Sequence, residues 1–118
     1  MTDTVPSAGP GSCRIPWCQA DHSTARDAGL HWQVAASTGA DNTTVEVRYA
    51  EREPARVPFL RVLYGPDWAL SNTLDIRPDA ATALADILAL LTVPTFGEFA
   101  AGLRRAAQGP HTPGSVQW

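Results

Sequence analysis

Two cysteines and two of the three histidines of this chain lie close together near its N-terminus, as Cys13, Cys18, His22 and His31. Sulfur and imidazole at short spacings are what a tetrahedral zinc site needs, because Zn2+ takes thiolate and neutral imidazole and is held by four such groups. The order reads C-x4-C-x3-H-x8-H. A single helical turn would put Cys18 and His22 on one face. Pro16 gives Cys13 an extended approach, and the turn signal Asp27-Ala28-Gly29 returns the chain to His31. Trp17 and Trp32 adjoin ligands, where their rings would wall the metal from water. Asp21 is placed to accept the second imidazole N–H of His22, a common support for a zinc histidine.

Four protein ligands would close the coordination sphere, so the expected ion is structural. Without metal, a Cys13 to Cys18 disulfide would close a very short loop worth on the order of 2 kcal/mol. Zinc contributes on the order of 10 kcal/mol in small peptides and prevails where thiols stay reduced. Catalytic alternatives lack their motifs. There is no His-x-Glu followed by Pro-Cys-x-x-Cys, as a zinc deaminase requires, and no His-Glu-x-x-His helix. Asp21-His22 resembles the start of a histidine-metal nuclease motif, but the later asparagine and histidine have no counterparts. A hydrolase therefore stands behind a non-enzymatic module, although Cys18 with His22 or His31 would make a nucleophile and base pair.

Composition narrows the partners. The chain has 118 residues, the length of one ordinary domain, and its net charge of -3 offers no field for phosphate backbones. Arg48, Arg52, Arg56 and Arg61 would form a stripe if a sheet gathered them, which is the basis of a nucleic-acid-binding alternative. Glu46, Glu51 and Glu53 interleave them, so nucleic acid is not the expected partner. Residues 1–12 are polar, with no basic segment leading into an apolar one, and no apolar run approaches the roughly 20 residues that span a bilayer. A cytoplasmic protein with no membrane contact is expected. There the two cysteines hold metal rather than a lasting disulfide.

The surrounding elements must position this knuckle. Residues 1–12 are expected to be a disordered arm, 13–108 a single domain and 109–118 a flexible tail. Trp32 to Ala36 is a short apolar stretch, and Ser37 to Asn42 a turn. Thr44 to Ala50 alternates, with Val45, Val47 and Tyr49 on one face and Glu46 and Arg48 on the other. Phe59 to Tyr64 and Trp68 to Ile76 read as further strands, giving an antiparallel meander of three or four. Pro78 opens a helix with Ala80, Ala83, Leu84, Ile87, Leu88 and Leu91 as its apolar stripe. Thr95-Phe-Gly-Glu98 has the capping-box form and starts a second helix running to about Gln108, with Phe96, Phe99, Leu103 and Ala107 as its apolar side. The fold class is α+β: an N-terminal Cys/His zinc knuckle, an antiparallel sheet, and one or two C-terminal helices packed on it. Phe96, Phe99 and Trp118 are more aromatic area than one short helix needs, and mark a surface for an unidentified protein partner or for self-association.

The run Pro16-Trp17-Cys18-Gln-Ala-Asp21-His22, followed by His31, strands and a Pro-Asp-Ala-led helix, resembles a family of small actinobacterial proteins of unknown function. The likeness spans residues 13 to about 91, and here four residues rather than three separate the cysteines. A chain with nine Arg or Lys residues, all of them Arg, fits the coding bias of such a source. The resemblance implies the architecture and the metal site, and no activity.

Overall fold

In a computed structural model the described residues are 13–23, 29–40, 42–67 and 69–111. The expected arm, most of the expected tail, Trp68 and Trp118 lie outside them. Four strands, β1 (Leu30–Ala40), β2 (Thr43–Arg52), β3 (Val57–Pro66) and β4 (Asn72–Ile76), are followed by helices α1 (Pro78–Ala89) and α2 (Pro94–Ala107). The strands form one antiparallel sheet in the order β1-β2-β3-β4. With the Cys/His cluster ahead of it, this is the α+β arrangement expected from the sequence.

Alternation along β2 divides the sheet into two faces. Val47, with its register partner Val62 and with Leu60, meets Ala81, Ala85, Ala100, Leu103 and Ala106 of the helices in the core. Leu30, Trp32, Arg48, Arg52, Phe59, Arg61 and Leu63 belong by register to the opposite face. The core is built of branched side chains on the sheet and alanines on the helices, so the layers sit close. Gly102 shows how close: a Cβ there would lie 2.9 Å from Cβ of Ala36 and 3.6 Å from Cγ2 of Val47.

Several boundaries differ from the expected ones. β1 does not stop at Ala36, because Ser37 to Ala40 pair in full with β2 after a bulge between Val34 and Ala36. Beyond Ala40, Asn42 takes φ 66°, a left-handed conformation that asparagine tolerates in a turn. β2 runs on through Glu51 and Arg52, which pair with Pro58 and Val57. β4 starts only at Asn72, since Ala69 turns back to bond the carbonyl of Pro66.

The helices are rotated from their expected setting. α1 buries Ala81 and Ala85 and packs Leu84 and Leu88 on the core, while Ile87 and Leu91 are 57% and 50% exposed. The alanine ridge permits close packing, so the larger residues turn outward. The capping box does not form. Val93 is the residue before the first helical turn and Pro94 its first member, so one N–H that a cap would satisfy is absent. Glu98 instead accepts a hydrogen bond from the Thr38 hydroxyl. Beyond α2, His111 is tied to the sheet: its N–H donates to Oε1 of Gln33, and its carbonyl accepts from Nε2 of the same side chain. Among the described residues, no helix is long and apolar enough to cross a membrane.

Candidate metal centre

The knuckle forms on backbone bonds rather than on a helix. The Cys18 N–H donates to the Ile15 carbonyl at 3.0 Å, closing a turn over Pro16. Gln19 then attaches the segment to the outer edge of β1: its N–H donates to the Trp32 carbonyl at 2.8 Å, and its Oε1 accepts the Val34 N–H at 3.1 Å. Cys18 to Asp21 are therefore non-helical, and the expected helical turn between Cys18 and His22 is not made. The reversal comes at His22 and Ser23, where Oδ1 of Asp21 accepts from the N–H and hydroxyl of Ser23 at 3.0 and 2.6 Å. Those two bonds hold the Asp21 carboxyl below the usual carboxylate range.

This path brings together one donor atom each from Cys13, Cys18, His22 and His31, all within 4.8 Å of one another. Sγ of Cys13 is 3.4 Å from Nδ1 of His31, and Sγ of Cys18 is 3.5 Å from Nε2 of His22. Zn–S bonds of about 2.3 Å and Zn–N bonds of about 2.0–2.1 Å at tetrahedral angles put ligand atoms roughly 3.4–3.8 Å apart. The cluster thus fits a tetrahedral ion with small adjustments. Both cysteines are free thiols and half-buried, while His31 is only 7% exposed. Four residues between the cysteines still let Cys13 reach His31.

Burial dominates the electrostatics at Cys18. Burial, the largest influence, pushes the Cys18 thiol up, and the nearby Cys13 thiol adds to this. Backbone hydrogen bonds from Ala20 and Trp32 act in the opposite sense and favour the thiolate. The Ile15 N–H points at Sγ of Cys13 at 3.4 Å. Burial disfavours the Cys18 thiolate, and a bound cation would offset that cost.

Sequence reasoning missed Glu53. Its Oε2 is 2.7 Å from Nε2 of His31, and its N–H donates to the Gly29 carbonyl at 2.8 Å. A proton on Nε2 shared with this carboxylate leaves Nδ1 as the free lone pair facing the sulfurs. The only signal was an acidic residue in the loop after β2, and its partner is fixed by β1–β2 register. Beside it Glu51, the register partner of His31, accepts from the Tyr49 hydroxyl and from Nε of Arg56 at 2.7 Å. Burial and that carboxylate push the Tyr49 phenol well above its ordinary range.

The aromatic residues separate. Trp17 is buried and meets Tyr49 and His31 edge-on, with ring centroids 5.4 and 6.5 Å away. It joins knuckle to sheet. Trp32 does not wall the metal: strand alternation carries its ring to the opposite face from His31, where the Arg48 guanidinium stacks over it at 3.8 Å. Its backbone, not its ring, serves the site. Phe96 and Phe99 lie away from this centre, beside Thr38, Gly39, Thr43 and Val45 in an apolar groove of about 220 Å³. Phe96 is 39% exposed and Phe99 half-buried against the core.

Compared with protein-family models, with curated proteins and with solved structures, the chain gives no significant match.

Proposed function

We propose that Cys13, Cys18, His22 and His31 hold one zinc ion whose role is structural, and that the protein is a small non-enzymatic interaction or regulatory module. The carrying observation is the gathering of four donor atoms within 4.8 Å, which would leave no position for a substrate if all four bind. Zinc would neutralise the paired thiolates and tie the knuckle to β1. Glu53 holds the His31 ring in the required tautomer, and Trp17 shields one side of the cluster.

The exposed apolar end of α1, with Ile87, Leu90 and Leu91, and the groove under Phe96 support a protein partner or a second copy of the chain. The arginine stripe does assemble in part, because Arg48 and Arg61 are register partners on the face opposite the helices. Glu46 and Asp75 pair with them, which weakens the case for duplex nucleic acid. A relation to the small actinobacterial proteins, and a reducing cytoplasmic setting, are consistent with this reading. The test is elemental analysis of reduced protein purified without added metal. About one zinc per chain is expected; no stoichiometric metal would remove the reading.

A further inference from the structure

The sheet face opposite the helices carries a cleft of about 630 Å³ that is separate from the metal centre. Its lining includes Leu30, Leu63 and Leu70, the hydroxyl residues Ser71 and Thr73, and both Arg48 and Arg61. Two arginines directly opposite each other on neighbouring strands repel, so their pairing calls for compensation. Arg61 is engaged by both oxygens of Asp75, at 2.8 and 2.9 Å.

Arg48 is held differently. Its side chain is 21% exposed, its face lies on the Trp32 ring at 3.8 Å, and its Nε donates to Oε2 of Glu46 at 2.5 Å. Stacking fixes the guanidinium plane and Glu46 occupies one edge. The terminal nitrogens are left for the cleft, with no protein acceptor among the described residues. A planar fork held in this way matches the two oxygens of a carboxylate or phosphate. Neighbouring hydroxyls at Ser71 and Thr73 add donors, and the leucines suit an apolar body.

We propose that the cleft binds a small organic oxoanion, an apolar body bearing a carboxylate or a phosphate, with Arg48 as the end-on clamp. The test is titration of the zinc-loaded protein with phenyl phosphate, benzoate, inorganic phosphate and neutral benzamide, followed by amide chemical shifts. At least one organic anion should give saturable shifts centred on Trp32, Ser71 and Thr73, and benzamide should not. Comparison of phenyl phosphate with benzoate identifies the preferred head group, and inorganic phosphate shows what the apolar body adds. Arg48→Gln should weaken binding about tenfold or more, as loss of a charged hydrogen-bonding partner does. Arg48→Lys keeps charge and stem over Trp32 but loses the fork, and should also bind weakly. Glu46→Gln removes the competing carboxylate and should tighten binding. Zinc content and melting temperature serve as checks that each variant is folded. No saturable shifts with any anion, equal shifts with benzamide, or unchanged affinity in both Arg48 variants would overturn the proposal.

Discussion

A histidine offers one nitrogen to a metal, and at position 31 Glu53 makes the choice by holding Nε2 at 2.7 Å. Glu53→Gln keeps the shape but weakens acceptance of that proton, so zinc affinity should fall by about tenfold or somewhat more. Competition with a chromogenic chelator measures this. Asp21→Asn should change affinity less, because an Asp21 oxygen serves the Ser23 turn. The pH dependence follows from Cys18, whose folded pKa is raised by burial in the metal-free chain. A raised acid pKa stabilises the metal-free fold below the ordinary thiol pKa, and that stability is lost as pH rises through the raised value. Zinc binds the thiolate and neutral imidazole, so its contribution has the opposite sign. Affinity for zinc should therefore climb with pH and go on climbing past the ordinary thiol range, because the raised Cys18 thiol gives up its proton late. A flat profile in the same chelator assay would mean that the thiols are not ligands.

Elements are placed by contacts that a pattern of hydrophobic residues shows only in part. Gly97 and Gly102 both look like weak points in α2, yet they differ. Nothing lies within 4 Å of a Cβ at Gly97, whereas one at Gly102 would press on Cβ of Ala36 at 2.9 Å. Gly97→Ala should stabilise by about 0.5–1 kcal/mol through helix propensity. Gly102→Ala should destabilise by about 1–3 kcal/mol, because α2 must lift from β1. Chemical denaturation of the two variants separates the cases. The same distinction explains what was legible beforehand. Alternation of Val45, Val47 and Tyr49 announced β2 and its buried face, and Pro78 marked the start of α1. The rotation of α1 was hidden, since Ala81 and Ala85 carry little hydrophobic signal although close packing selects them. Residue types brought the four Cys and His side chains to notice, but Glu53 was invisible because only the β1–β2 register sets it beside His31. Trp32 was misplaced for a related reason: adjacency in a strand means opposite faces.

At the scale of the whole molecule, the knuckle and the helices both rest on the sheet face that carries Val47 and Tyr49. The helices cover its centre, and Trp17 covers Tyr49 and His31 at one end. Among the described residues of the knuckle, Trp17 and Ala20 are the buried apolar ones, so on the proposed reading its order would depend on the ion. Cys18→Ser should lower the melting temperature and alter tryptophan fluorescence, as the buried Trp17 ring gains access to water. The most direct test is calorimetry of the reduced protein with and without prior chelation. The chelated protein should melt at a clearly lower temperature and recover when one equivalent of zinc is returned. An unchanged melting curve after complete metal removal would contradict a structural role for the site.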